Sequence, residues 1–150
     1  MSEGKSINEV VSYLGINSIT TYNWTGSGIN EDYIKWAETA MKVQDKWASM
    51  LTIPYIPTVS VGWDNTPRYP QFGKDQVVHI NNTPESFAAY MIKAKAYLRN
   101  HPKQPKLIII NAWNEWVEGS YLEPDMRCGY GYLEAIKKVM NGTYDKYYNK

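Results

Sequence analysis

The feature that most constrains this chain is a run of four large aliphatic residues, Leu107 to Ile110, which leads directly into polar residues. A strand that faces water on one side alternates apolar and polar residues. This run does not alternate, so we predict a strand buried on both faces, as is typical of parallel sheets covered by helices. Ligands of α/β folds bind beyond the carboxyl ends of such strands. The polar residues that follow are therefore the first candidates for a functional site.

Two glutamates, Glu115 and Glu118, lie three residues apart in this polar segment and are interleaved with tryptophans. Helical spacing would bring their Cβ atoms about 5–6 Å apart on one side of a turn. That separation suits two carboxyl groups acting together on a glycosidic bond. Glutamate pairs at this spacing are also common on solvated helix faces. A pair that follows such an apolar strand directly is better explained by acid–base chemistry.

The rest of the chain alternates helix and strand patterns. Predicted helices cover residues 6–14, 31–50, 83–99 and 132–140, and predicted strands cover residues 16–22, 55–62 and 107–110. Ser6 with Glu9 forms a predicted capping box, and Thr83 is a predicted N-cap followed by Pro84. Residues 23–28 are a predicted loop, residues 63–82 a long irregular connection, and the tail from residue 143 shows no clear period.

This order predicts an α/β fold with three βα units after an N-terminal helix. The 150 residues have the length of a single domain, which we assign to residues 1–150. Three units are too few for an eight-stranded barrel, which takes about 250 residues. We therefore predict a partial (β/α) TIM-type barrel. Because a three-stranded parallel sheet leaves two open edges, we expect a second copy or a missing barrel half to complete it.

Composition narrows the classes of partner. The chain has 16 basic and 15 acidic residues, which gives no electrostatic signal for nucleic acid or an anionic membrane. The single cysteine excludes an internal disulfide framework. No segment approaches the roughly 20 apolar residues of a membrane span, and residues 1–6 lack the apolar core of a signal peptide. We predict a soluble chain, cytoplasmic as given.

Tyrosine and tryptophan are unusually frequent among the aromatic residues. The chain has 13 Tyr and 6 Trp against 2 Phe. Amphipathic rings suit a surface that must be apolar and still form hydrogen bonds, and a sugar requires such a surface. A Tyr-rich core explains the same composition equally well.

Three motifs together resemble glycoside hydrolase family 99 and the related WbsX-like proteins of polysaccharide gene clusters. The first is Asn114-Glu115-Trp116-Val117-Glu118-Gly119 with the downstream Glu123-Pro124. The second is Val61-Gly62-Trp63-Asp64-Asn65-Thr66-Pro67-Arg68, and the weaker third runs from Ser18 to Trp24. The resemblance covers the chain from Gly15 to Val139.

The resemblance implies a fold and a reaction. Family 99 enzymes are (β/α)8 barrels that act on α-mannosides within chains, with retention, and this chain resembles the C-terminal part of such a barrel. By the resemblance, Glu115 acts as the base on the sugar 2-hydroxyl, which attacks C1. Glu118 acts first as acid and then as base at the departing and incoming oxygens. WbsX-like members are often labelled glycosyltransferases, so the direction of the reaction stays open, as does a non-catalytic, truncated carbohydrate-binding fragment.

The remaining candidates are predicted to contact a carbohydrate substrate. They are Asn114, Trp116, Trp63, Asp64, Asn65, Arg68, Tyr22, Trp24 and Glu123. Core packing explains Tyr22 and Trp24 about as well, and turn chemistry is the alternative for Asp64 and Asn65. No cofactor or metal is predicted, because His79 and His101 lack partner spacing and the acidic residues fit no calcium loop.

Overall fold

The structure, a computed structural model, describes residues 6–24, 32–71 and 77–144, and this part of the chain contains both helices and strands. The elements are α1 (Ile7–Tyr13), α2 (Tyr33–Met50), β1 (Thr58–Ser60), β2 (Trp63–Asp64), β3 (Val78–His79), α3 (Pro84–Asn100), β4 (Ile109–Asn111), β5 (Asn114–Glu115), β6 (Ser120–Tyr121) and α4 (Gly131–Met140). The predicted α/β class is confirmed. Most of the predicted loop at residues 23–28 and of the tail lies outside the described residues.

Local capping sets the starts of the helices. At α1, Ser6 Oγ accepts from the Glu9 backbone N–H at 3.3 Å and Glu9 Oε2 accepts from the Ser6 N–H at 2.6 Å, so the predicted capping box is present. At α3, Thr83 and Ser86 form the equivalent pair around Pro84. Each arrangement satisfies two backbone N–H groups that the helix itself leaves without partners.

Thr83→Ala is expected to lower the free energy of unfolding by about 1 kcal/mol, because the Ser86 N–H loses its acceptor at the start of α3. Thr39→Ala is the matched control. The Thr39 hydroxyl donates to the Lys35 carbonyl inside α2, and alanine is the better helix former there. Urea unfolding measures both changes. Equal losses in the two variants would contradict the capping argument.

A parallel strand pair lies at the centre of the fold. β1 pairs with β4, with Val59 opposite Ile110, and a single parallel bridge joins Ile19 to Tyr55, just before β1. The spatial order is therefore the Ile19 segment, β1 and β4, which is also their order along the chain. The two other strand pairs, β2–β3 and β5–β6, are antiparallel and short.

The predicted strands were too long. Of the strand predicted at residues 16–22, only Ile19 forms a β-bridge. Of the strand predicted at residues 55–62, Tyr55 forms the other half of that bridge and Thr58–Ser60 form β1. Side-chain hydroxyls replace the backbone ladder here: Thr20 Oγ1 donates to the Ile56 carbonyl at 2.9 Å, and Thr58 Oγ1 donates to the Thr21 carbonyl at 2.6 Å. The connection predicted to be irregular, residues 63–82, instead contains the β2–β3 pair.

The prediction that the Leu107–Ile110 run is buried on both faces is wrong. Ile108 and Ile110 pack against the core, but Leu107 is 54% exposed and Ile109 is 37% exposed. The apolar residues that line a groove beside this run come from α3, α4 and the run itself. The described residues thus provide helices on one face of β4 and no layer on the other.

An aromatic core supports the sheet from the helical side. Trp24 packs edge-to-face on Trp36 with ring centroids 5.2 Å apart, and its Nε1–H donates to the Thr58 carbonyl at 2.9 Å. The Tyr33 hydroxyl donates to the Ser60 carbonyl at 2.7 Å. These bonds tie α2 and the Trp24 segment to β1. Among the described residues no helix combines the length and apolar character needed to cross a membrane.

Candidate active site

The candidate residues gather at the carboxyl ends of the parallel segments. Tyr22 follows the Ile19 bridge, Arg68 follows β1 and β2, and the glutamate pair follows β4. Because parallel segments end at the same edge, three distant parts of the sequence meet there. This is the placement that the sequence predicted for a site.

A tight hairpin carries the two glutamates. β5 pairs with β6, so that Glu115 lies opposite Ser120. The residues between them form one turn of 3₁₀ helix, Trp116–Glu118, which ends at Gly119 in the left-handed conformation with φ of 59°. The spacing of the glutamates is thus set by a hairpin and a 3₁₀ turn, and not by the α-helical turn that their separation suggested.

One guanidinium contacts both glutamates. Arg68 Nη1 donates to Glu118 Oε1 at 2.6 Å, and Arg68 Nη2 lies 3.7 Å from Glu115 Oε2. The Glu118 side chain is only 8% exposed, whereas that of Glu115 is 37% exposed. A buried carboxylate is costly unless it is paired, so Arg68 stabilises Glu118 in place.

The second oxygen of Glu118 is buried and has no hydrogen-bond partner among the described residues. An unsatisfied buried carboxylate oxygen is uncommon in native structures and calls for an explanation. An oxygen of this kind can accept a hydrogen bond from a ligand hydroxyl. The cluster therefore combines one partly exposed carboxylate, that of Glu115, with one buried carboxylate oxygen of Glu118 that has no partner among the described residues.

The Tyr22 side chain is exposed but joins the same cluster. Its partial burial, followed by the charges of Glu118 and Glu115, raises its pKa above the ordinary value for tyrosine. Its hydroxyl also interacts with Asn111, which lowers the pKa, and with Glu115, which raises it. The Tyr22 hydroxyl therefore lies beside the carboxylates.

Asp64 holds the turn that carries Arg68. Asp64 Oδ1 accepts from the Thr66 backbone N–H at 2.8 Å, and the Arg68 N–H donates to the Asn65 carbonyl at 3.1 Å. A Cβ on Gly119 would lie 2.7 Å from Asp64 Cβ, so only glycine allows the hairpin to approach this turn so closely. Asp64 and Asn65 thus act here as turn residues, the alternative that the sequence left open.

The predicted aromatic contacts divide into two groups. Trp24 is 1% exposed and has no free face for a sugar ring. Trp63 is also largely buried, but it lines a cavity together with Asp64 and Tyr121. Trp116 is exposed, stacks on Tyr121 with centroids 3.8 Å apart, and donates its Nε1–H to Glu123 Oε2 at 2.6 Å. Tyr121 and Glu123 therefore hold the Trp116 ring in place, and the nearby Asn114 is also exposed.

Sequence reasoning missed Asn111 and Ser120. Asn111 ends β4, and the Ser120 hydroxyl lies 2.9 Å from its Oδ1. The position of Asn111, a polar residue directly after the aliphatic run, was the signal that could have identified it. In the described ranges, no group of three or more histidine, cysteine, aspartate or glutamate residues could hold a metal ion.

Comparisons with known proteins give a consistent result. The family model described as "Glycosyltransferase WbsX" matches residues 3–136. Proteins described as "Uncharacterized protein WxcX" from two strains of Xanthomonas campestris pv. campestris are 33% identical over 115 residues, which is 76% of this chain and 16% of each relative. The chain thus spans about one sixth of the length of these relatives. No solved structure matches the chain significantly.

The family model covers far more than half of the chain, and its range includes Tyr22, Arg68 and the whole hairpin that carries Glu115 and Glu118. The chain therefore belongs to the WbsX glycosyltransferase family.

Proposed function

We propose that Glu115 and Glu118 carry out acid–base chemistry at a glycosidic bond of a mannose-type or related polysaccharide. The observation that carries the proposal is the bridging of both carboxylates by Arg68 at the carboxyl ends of parallel segments. Chemistry at a glycosidic bond needs two carboxyl groups held in fixed positions on the reacting sugar. A guanidinium that contacts both provides such positioning.

The burial of the two side chains supports different roles for them. Glu115 is the more exposed and lies beside the Tyr22 hydroxyl, so a substrate hydroxyl can reach it. In the proposal it accepts the proton of the 2-hydroxyl as that oxygen attacks C1. Glu118 is buried but keeps Oε2 without a partner; in the proposal its protonated form gives the proton to the departing glycosidic oxygen, and the resulting carboxylate then takes a proton from the incoming hydroxyl. Trp116 offers a ring face near these groups for an adjoining sugar.

The proposal includes a partial barrel. Its support is the order of three parallel segments with α2 and α3 following the first two, and a site beyond their carboxyl ends. The exposed side chains of Leu107 and Ile109 mark the face that further strands or a second copy would cover. In the proposal, the chain supplies the wall of the barrel that carries the carboxylates.

A second candidate function is the formation of glycosidic bonds. The description of the family as a glycosyltransferase favours a role in polysaccharide biosynthesis. The same two carboxylates serve both directions, because water and a sugar hydroxyl are interchangeable acceptors at C1. A nucleotide-sugar-dependent transferase would instead release a nucleoside diphosphate.

The test is product analysis in H₂¹⁸O with mannose-containing polysaccharides and oligosaccharides. Hydrolysis is expected to release reducing ends that carry ¹⁸O, detected by mass spectrometry. Transfer to an added oligosaccharide acceptor without ¹⁸O incorporation would instead support the second candidate. The Glu115→Gln/Glu118→Gln double variant is the control. Binding to the polysaccharide with no turnover under any of these conditions would contradict both catalytic proposals and leave a carbohydrate-binding role.

A further inference from the structure

The cavity that Trp63 lines lies against the hairpin that carries the carboxylate pair. It has a volume of about 320 Å³ and a mostly polar lining. Gly119, which directly follows Glu118, forms part of the lining. The side chains that line the cavity include those of Trp63, Asp64, Asn81, Asn82, Tyr121 and Arg127. Pockets for small ligands begin at about 300 Å³, so this cavity has room for one ring and its substituents.

One wall of this cavity is held in place by contacts from three other segments. Asn81 Nδ2 donates to Asp32 Oδ2 at 2.7 Å. Asn82 Nδ2 donates to the Val61 carbonyl at 3.3 Å, and the Tyr132 hydroxyl donates to the Asn82 carbonyl at 2.8 Å. The opposite wall is the hairpin, which approaches the Asp64 turn closely at Gly119. The cavity is therefore preformed, as binding sites for small ligands usually are.

Arg127 supplies a positive charge to this cavity. Its side chain is exposed, and within the described residues no ion pair joins it to a carboxylate. A planar guanidinium matches a carboxylate through two parallel hydrogen bonds. Asp64 and Asn82 carry side-chain oxygens that can accept from hydroxyls, and Trp63 and Tyr121 add aromatic surface. A ring that carries one carboxylate and several hydroxyls has the chemistry that this lining recognises.

The cavity adjoins the surface that the proposed function gives to an adjacent sugar. Tyr121 and Arg127 also line a neighbouring cavity of about 470 Å³, whose lining includes Trp116. Tyr121 stacks on Trp116 with centroids 3.8 Å apart. One glycan chain can therefore contact the Trp116 ring and enter the cavity at Arg127. Its occupant is best explained as another sugar of the same chain.

We propose that this cavity is a binding subsite for an acidic sugar, a hexuronic acid residue whose carboxylate pairs with Arg127. Asp64 and Asn82 accept hydrogen bonds from its ring hydroxyls. The assignment to a polysaccharide substrate rests on the proposed function, but binding of the acidic sugar does not require turnover. The subsite narrows the substrate to polysaccharides in which an acidic sugar lies close to the reacting bond.

Binding of two matched sugars tests this subsite. They are the methyl glycosides of mannuronic acid and of mannose, which differ only in a carboxylate or a hydroxymethyl group at C5. The mannuronide is expected to bind about 10-fold more tightly at low salt, the scale of one hydrogen bond to a charged group. NMR titration of the ¹⁵N-labelled chain measures both affinities and is expected to show the largest shifts at Asn82 and Arg127. Added salt is expected to reduce the preference.

Two outcomes of this titration would overturn the proposal. Equal affinities for the two sugars would show that the carboxylate is not recognised. Acetate is the third probe, and acetate binding as tight as that of the mannuronide would show that the cavity does not recognise the sugar ring.

Variants at Arg127 locate the effect. Arg127→Gln and Arg127→Glu are expected to remove the preference and to leave the affinity for the mannoside unchanged. Because the side chain is exposed and forms no ion pair within the described residues, the urea midpoint is expected to stay the same. Lys103→Gln is the matched control, since it removes one exposed positive charge between α3 and β4, at the opposite end of the strand. A preference that persists in both Arg127 variants, or disappears in the Lys103 variant, would overturn the proposal.

Turnover separates this subsite from the proposed function. Arg127-dependent binding of the mannuronide, without turnover of any mannose-containing polysaccharide, would refute the proposed function and leave the subsite standing. Turnover of a neutral mannose polysaccharide, without any preference for the mannuronide in the titration, would support the proposed function and overturn the subsite.

Discussion

Glu118→Gln and Glu115→Gln are each expected to lower the rate of glycosidic-bond chemistry by about 10²–10⁴-fold. That range is the usual effect of removing a positioned acid or base. Glutamine keeps the shape and one carbonyl acceptor of glutamate but cannot take up or deliver a proton at neutral pH. Steady-state rates on the substrate identified by product analysis measure the effect.

The fold is expected to survive both changes. At position 118 the glutamine carbonyl can still accept from Arg68 Nη1, and a neutral side chain costs less to bury than a carboxylate. At position 115 the side chain is partly exposed and pairs with Arg68 only at 3.7 Å. Loss of activity together with an unchanged urea midpoint would therefore report on chemistry and not on stability.

Glu134→Gln is the matched control for this pair. Glu134 lies on α4, is well exposed, and contacts Lys138 at 3.8 Å one helical turn away. Ion pairs of this type contribute little to stability, so this variant is expected to keep full activity. Near-normal rates in both the Glu115 and Glu118 variants would refute their assignment as the catalytic pair.

The elements that the sequence predicted well are those set by local interactions. Ser6 with Glu9, and Thr83 with Pro84, mark helix starts through groups only three residues apart or fewer. The strands were predicted less well because their partners are distant in sequence. Nothing local to residues 16–22 indicates that the Thr20 hydroxyl will bond to Ile56 and end the ladder after one bridge.

The candidate site likewise combines features that the local sequence predicts with features that depend on contacts between distant residues. The order of the elements placed Glu115 and Glu118 beyond the strand of residues 107–110 and Tyr22 at the end of the strand of residues 16–22, and the structure brings the three together. The bridging role of Arg68 could not be predicted, because 50 residues separate it from Glu118. Asn111 was missed because its importance depends on the register that sets Ser120 opposite Glu115. Hairpin register follows from turn geometry, here a 3₁₀ turn that spacing alone does not reveal.

Gly119→Ala is expected to lower the free energy of unfolding by about 2–5 kcal/mol. The left-handed conformation found at Gly119 is less favourable by about 1–2 kcal/mol for a residue that has a Cβ. The added methyl would also lie 2.7 Å from Asp64 Cβ and 2.9 Å from the Asp64 backbone nitrogen. Backbone atoms cannot rotate away, so overpacking adds about 1–3 kcal/mol.

Gly129→Ala separates these two causes. Gly129 also has positive φ, 54°, but among the described residues nothing lies within 4 Å of a Cβ built there. The Gly129→Ala variant is therefore expected to lose only the stability that corresponds to the left-handed conformation. The difference between the free energies of unfolding of the two variants then measures the contact between the hairpin and the Asp64 turn. That contact sets the distance from Glu118 to Arg68, so Gly119→Ala is also expected to reduce activity in the protein that remains folded. Equal urea midpoints for the two variants would show that the hairpin can move away from Asp64 at no cost, and the close approach would then not hold the site together.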